Sequence, residues 1–162
     1  MNEREVQKLK EGGFEGFVTV GELMESCRCV RDLCGVYVIL RPDDGPPLFL
    51  ARRAGSLDVN AEAGCQCYPI KRLQAEWVSG TSVMYIGQSV TLRKRLSLYM
   101  HFGLGRIASY KGGRAIWQLA DARSLIVAWK YVSEKPRHLE RRMIEEFRNA
   151  HAGKLPFANR QK

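Results

Sequence analysis

The stretch YIGQSVTLRKRLSLYMH, residues 85–101, decides how this chain is read. The segment Ser82 to Ile86 that leads into it is short, apolar and partly β-branched, so it predicts a strand that Gly87 ends. Thr91 or Ser89 then stands where a side-chain oxygen caps the free N–H groups of a helix's first turn. At about 100° per residue, Leu92, Leu96, Tyr99, Met100 and Phe102 share one arc of that helix. Arg95 falls inside the arc, between Phe102 and Tyr99, while Lys94 and His101 lie on the other side. A guanidinium at the edge of an apolar stripe is costly without an anionic partner, so Arg95 is a snorkelling side chain, a structural ion-pair member or a group aimed at an anion.

The rest of the chain supplies company for it. Gly35-Val36-Tyr37 opens the apolar run GVYVIL, whose consecutive apolar residues predict a strand covered on both faces. From Pro136 to about Ala152 the pattern is helical, with Leu139, Met143, Ile144, Phe147 and Ala150 on one arc. Arg141, Arg142, Glu145, Glu146, Arg148 and Asn149 fall outside that arc, whereas Glu140 lies within it, between Phe147 and Ile144. Gly153 stops this helix, and Leu155-Pro156-Phe157 packs a tail that ends near Asn159.

Taken in order, Gly-Val-Tyr, then Tyr-Ile-Gly with Arg95 ten residues after Tyr85, then a helical glutamate and a late asparagine resemble the GIY-YIG nuclease superfamily. The second motif is most similar to the incision domain of the UvrC family of excision-repair nucleases, including Tyr99 one turn after Arg95. The resemblance spans roughly residues 34–159. It departs from the family in two places: Val38 to Met84 intervene between motifs that are usually close together, and Gln88 stands where the UvrC-like proteins carry a lysine.

The resemblance implies a small α/β (α+β) domain over residues 1–162, with a mainly antiparallel three-stranded central sheet built on strands at Gly35, Ser82 and Ser124 and flanked by helices. Residues 1–33 would be an N-terminal extension and 41–79 an insertion between the first two motif strands. It further implies a divalent-metal-dependent DNA endonuclease with Tyr37, Tyr85, Arg95, Tyr99, Glu140 and Asn159 as site residues. In that reading Glu140 binds one Mg²⁺ (or Mn²⁺), a hard cation suited to carboxylate, water and phosphate oxygens. Arg95 braces the phosphate as a permanently charged fork. The two motif tyrosines present hydroxyls to the attacking water, Tyr37 being the favoured base, and Tyr99 and Asn159 position the phosphate or the tyrosines. Arg95 and Glu140 are expected to arrive from helices on one side of the sheet. The alternative is a nucleic-acid-binding module of the same fold with weak or no cleavage, for which Gln88 is the best argument.

Composition fits a polyanion-binding partner. The chain carries 26 Lys and Arg against 17 Asp and Glu, the electrostatic footprint of a phosphate-backbone binder. The basic residues most readily placed near DNA are Arg52, Arg53, Lys71 and Arg72 in the insertion, Lys94 beside Arg95, and Arg106, Lys111 and Arg114 in the glycine-rich Gly103–Arg114 stretch. No second DNA-binding domain is recognisable, so specificity has to come from the insertion, a homodimer or a protein partner. The polar N-terminal segment and the lack of a long apolar run predict a cytoplasmic protein without a membrane partner. Five cysteines include Cys27-Arg28-Cys29 and Cys65-Gln66-Cys67, which could give four thiolates to a structural Zn²⁺. The spacing is atypical and no histidine is near, so reduced thiols, without a disulfide framework, are the expectation.

Local signals complete the reading. Thr19-Val20-Gly21-Glu22 has the form of a capping box for a helix through about Cys27. Phe14 to Val18 is a short apolar run, Leu48 to Ala51 reads as a return strand, and Arg52 to Gln66 as a loop. Ile70 to Val78 predicts a helix begun by Pro69, Ala115 to Ala120 a short helix, and Ser124 to Val132 the third main strand.

Overall fold

The computed structural model describes residues 1–54, 67–107, 109–133 and 135–159. Within them, five α-helices and four strands follow one another as α1 (Glu3–Glu11), β1 (Glu15–Thr19), α2 (Val20–Glu25), β2 (Gly35–Leu40), α3 (Ile70–Glu76), β3 (Val83–Ser89), α4 (Leu92–Gly103), β4 (Ile126–Tyr131) and α5 (Pro136–Ala150). The strands form a single antiparallel sheet in the order β1-β4-β2-β3. The expected three-stranded core, β2, β3 and β4, is there, but the sheet has a fourth strand. β1 pairs with β4 through an irregular register between Gly16 and Val18, which is why the run Phe14 to Val18 lacks clean alternation.

The two faces of the sheet carry separate cores. On one face Tyr37, Ile39, Tyr85, Val127 and Trp129 pack against α2 and α4 through Leu23, Leu92, Leu96 and Tyr99. On the other, Val36, Val38, Leu40, Ile86 and Ala128 meet Val6 and Leu9 of α1 and Leu139, Met143 and Ile144 of α5. β2, between β4 and β3, is buried at every residue, as its unbroken apolar sequence requires. Thus α4 and α5 cover opposite faces, and the expectation that Arg95 and Glu140 arrive from one side is wrong. Periodicity fixes which arc of a helix turns inward, not which face of a sheet receives it. On α5 the arc itself is shallow: Phe147 is buried, Leu139, Met143 and Ile144 are half-buried, and Ala150 is exposed.

The N-terminal 33 residues are part of this architecture, supplying α1, β1 and α2. The Thr19–Glu22 capping box forms reciprocally, Thr19 Oγ1 accepting from Glu22 N and the Glu22 carboxylate from Thr19 N. Glu5 ties α1 to the start of β3 by accepting from Ser82 N at 2.7 Å and Thr81 Oγ1 at 2.6 Å.

Several local expectations change. Leu48 to Ala51 contributes one isolated bridge, Phe49 to Leu119, rather than a return strand. Arg114–Gln118 is a 3-10 turn holding buried Trp117, and Ala122–Ser124 a second one before β4. α2 ends at Glu25 and α3 at Glu76, with Pro69 in the cap position. Neither Thr91 nor Ser89 caps α4 through its side chain: the Leu92 N–H is taken by Leu33 O at 3.0 Å, and Ser89 Oγ accepts from Thr91 N. Of the expected loop, residues 55–66, Cys65 included, lie outside the described residues. Among the described residues no helix is long and apolar enough to cross a membrane.

Candidate active site

The antiparallel register of β2 and β3 sets Tyr37 opposite Gly87 and Ile39 opposite Tyr85. Both tyrosines therefore project from the same face, one step apart on the diagonal. Their ring centroids are 5.8 Å apart, tilted at 56°. They fit because the position between them is glycine: a Cβ on Gly87 would lie 2.7 Å from Tyr37 Cζ and 2.7 Å from Tyr85 Cε1. Tyr85 lines a cleft of about 360 Å³ at the β3 edge, together with Gln88, Ser89, Val90, Arg95 and Glu140. Tyr37 lies behind that wall, fully buried, and its hydroxyl has no hydrogen-bond partner.

Arg95 reaches the cleft from α4. Its Nη2 donates to Lys111 O at 2.7 Å, and its guanidinium carbon sits 4.4 Å from the centre of the Tyr110 ring. Its Nε is buried without a hydrogen-bond partner. Burial works against the charge, but Tyr37, Tyr110 and Tyr85 together outweigh it, so the guanidinium pKa is raised. Glu140, half-buried on α5, reaches the cleft from the other face of the sheet. This is possible because β3 is an edge strand: nothing in the sheet lies beyond it, and helices from the two faces can meet across its rim. Burial raises the Tyr85 pKa well above the usual phenol value, Tyr37 and Glu140 add to the rise, and Arg95 opposes it.

Tyr99 stands behind the cleft rather than in it. It is fully buried, donates its hydroxyl hydrogen to Gly113 O, and stacks on Tyr110 with centroids 5.0 Å apart. Asn159 lies beside the β3 edge. Its Oδ1 accepts from Ile86 N at 2.9 Å and its Nδ2 donates to Ile86 O at 2.8 Å, so its amide substitutes for a neighbouring strand's peptide. Tyr37, Tyr85, Arg95 and Glu140 are thus brought together, with Tyr99 and Asn159 in supporting positions. Sequence reasoning missed Tyr110 and Gly112, which contact Arg95 and Tyr85. The signal is an aromatic followed by Lys-Gly-Gly-Arg, whose glycines and charges alone suggest a phosphate approach and not a contact with Tyr85.

The basic residues divide. Arg53 is not a surface contact: it is 8 % exposed, donates Nη1 to Phe102 O at 2.6 Å and lies 4.3 Å over the Phe102 ring. A buried cation on a carbonyl in the last turn of α4 complements the helix end, and a sequence cannot separate that use from phosphate binding. Arg72 is exposed but pairs with Glu76 at 2.8 Å, while Arg114 is half-buried over Tyr68. Arg52, Lys71, Lys94, Arg106 and Lys111 are exposed. A larger cleft of about 480 Å³ by Arg41, Asp43 and Trp77 offers no comparable chemistry, since Arg41 is engaged by Asp121 Oδ2, Asp43 O and Gly45 O.

For metals, no group of three or more His, Cys, Asp or Glu able to hold an ion occurs among the described residues. Glu140 with the Tyr85, Gln88 and Ser89 oxygens is a sparse, all-oxygen donor set. Such a set fits Mg²⁺ or Mn²⁺ that keeps most of its water, and does not fit a dedicated cage. The four-thiolate zinc set does not hold together as expected. Cys27 and Cys29 are free, but Cys67 is disulfide-bonded, contrary to the expectation of reduced thiols throughout, so its sulfur is no thiolate ligand. Cys65 lies outside the described residues.

Compared with known protein families, curated proteins and solved structures, the chain has no match.

Proposed function

We propose that this chain is a divalent-metal-dependent DNA endonuclease that hydrolyses phosphodiester bonds at the β3-edge cleft. The observation that carries the reading is the convergence of a phenol, a guanidinium and a carboxylate from three separate elements on one small cleft: Tyr85 of β3, Arg95 of α4 and Glu140 of α5. Hydrolysis needs positive charge on the developing phosphorane oxygens, a positioned water and a proton acceptor. Arg95 supplies a permanent cation on the cleft wall. Glu140 would hold Mg²⁺ or Mn²⁺, which when bound supplies Lewis acidity at the phosphate. Tyr85 keeps its proton across the neutral range because burial raises its pKa, so it orients phosphate or water as a donor. The base role then falls to Tyr37, as the resemblance implies. Its hydroxyl is buried behind Tyr85, so that role requires the wall of the cleft to open to water. The formal charge of +9 favours encounter with a polyanion.

A second reading is a binding module of the same fold, favoured by one observation: Gln88, where UvrC-like proteins carry lysine, lines the cleft. Nicking of supercoiled plasmid with Mg²⁺ or Mn²⁺, comparing the wild type with Glu140→Ala at matched folding and DNA binding, separates the two. Divalent-dependent nicking lost in the variant supports the nuclease. DNA binding with equal background nicking in both supports the module.

A further inference from the structure

Arg95 and Tyr85 are both held by a segment outside the motifs that suggested them. Tyr110 is 7 % exposed, stacked on Tyr99 at 5.0 Å and set against Phe102 at 5.8 Å, so its ring is a fixed platform. The Arg95 guanidinium lies on that platform at 4.4 Å, and the next carbonyl, Lys111 O, accepts from Arg95 Nη2 at 2.7 Å. The chain then turns through Gly112 at φ +87° and Gly113 at φ +65°. There the backbone comes so close that a Cβ on Gly112 would lie 2.7 Å from Tyr85 Oη and 3.4 Å from Arg95 Nη2. One on Gly113 would lie 2.5 Å from Tyr99 Oη.

We infer that Tyr110–Gly113 is a positioning strap for the phosphate-binding groups. The Tyr110 ring and Lys111 carbonyl set the orientation of the Arg95 guanidinium, and the Gly112 backbone sets that of the Tyr85 hydroxyl. An arginine side chain has many rotamers, and a ring face beneath it with a carbonyl at one nitrogen selects among them. The strap acts through Arg95 and Tyr85 and is not itself catalytic. Its effect on rate rests on the nuclease reading, but its effect on geometry does not.

The test uses the full chain with Tyr110→Leu, which keeps apolar volume but removes the ring, and Tyr110→Phe, which keeps the ring. In ¹H–¹⁵N spectra the Arg95 Nε–H signal, assigned by its absence in Arg95→Lys, is displaced by the ring current in the wild type and Tyr110→Phe. In folded Tyr110→Leu it moves to the envelope of exposed arginines; an unmoved signal overturns the inference. On any DNA that the wild type cleaves, Tyr110→Leu lowers the single-turnover rate on the order of 30- to 100-fold with DNA affinity held within about twofold, and Tyr110→Phe restores the rate. Loss confined to affinity, or an equal loss in Tyr110→Phe, contradicts it. A displaced Arg95 signal in a wild type that cleaves no DNA leaves the strap standing and removes the nuclease reading. Should Tyr110→Leu not fold, Gly112→Ala gives the same rate loss through Tyr85, and an unchanged rate there overturns the strap.

Discussion

Gly87→Ala puts the tyrosine geometry under the most direct stress. The added methyl would sit 2.7 Å from a carbon of each ring, where ordinary van der Waals contact begins at 3.4 Å. Each ring must therefore retreat by about 0.7 Å or the strands must part. Neither ring has room, since Tyr37 is fully buried, Tyr85 is 6 % exposed, and the Gly112 backbone is packed against the Tyr85 hydroxyl. Overpacking of this kind costs about 1–3 kcal/mol. Loss of glycine's unfolded-state entropy returns about 0.4–1 kcal/mol. The net is a destabilisation of roughly 1–2 kcal/mol, or a Tm lower by about 2–8 °C for a chain of this size. Displacement approaching 1 Å at a reacting group also lowers turnover by about 100-fold. Differential scanning calorimetry and single-turnover nicking read the two effects. Gly21→Ala is the control: its Cβ meets nothing closer than Arg123 O at 3.4 Å, so Tm should hold or rise. A Gly87→Ala protein with the wild-type Tm and nicking rate would refute the claim that this glycine is what lets the two rings lie side by side.

Other consequences follow from the same contacts. Arg53→Leu removes the charged donor to the Phe102 carbonyl, leaving it only the Gly105 N–H at 3.1 Å, and should lower stability by about 1.5–3 kcal/mol in chemical denaturation while DNA affinity of the folded protein stays put; reduced affinity with unchanged stability would restore it as a DNA contact. Asn159→Asp removes the donor to Ile86 O while keeping side-chain size, and a Tm drop worth about 1–2 kcal/mol is expected; no drop would mean that the β3 edge does not need this pairing. Alkaline pH should destabilise the fold. Burial, first of all, raises the pKa of Tyr85, Tyr99 and Tyr110 and pushes the Cys27 thiol up to about 11. The folded state thus holds protons that the unfolded state releases at the ordinary values of 9.0 for the thiol and 10.0 for the phenols. Stability is full below about pH 9 and falls as pH rises beyond it; a Tm flat to pH 11 would contradict the burial of these groups.

Much of the site was legible because its residues sit on elements with strong local signals. The Thr19–Glu22 box, the all-apolar β2 and the Arg95-bearing arc of α4 each announce themselves within a few residues, and each forms. What could not be read is what depends on distant chain. β1 carries positive φ at Gly16 and Phe17, so its strand pairing breaks the alternation that would have revealed it. The placement of α5 on the face opposite α4 leaves Glu140 no direct route except across the edge of β3, and no periodicity encodes that. Arg53 and Asn159 carry side chains equally suited to substrate and to backbone, and only the folded neighbours, Phe102 O and the Ile86 peptide, decide. Gly112 and Gly113 look like any flexible loop until their backbone is found against Tyr85 and Tyr99.

Hydrolysis of DNA at the Tyr85–Arg95–Glu140 cleft is the proposal on which the other activity predictions depend. Its most direct test is cleavage of a panel of supercoiled, linear, branched and single-stranded DNA by the wild type, Glu140→Gln and Arg95→Leu, with Mg²⁺, with Mn²⁺ and with chelator. The wild type should show divalent-dependent strand scission on at least one substrate, abolished by chelator and in both variants while folding is retained. Scission that persists unchanged in folded Glu140→Gln and Arg95→Leu, or DNA binding with no scission of any substrate, would contradict it.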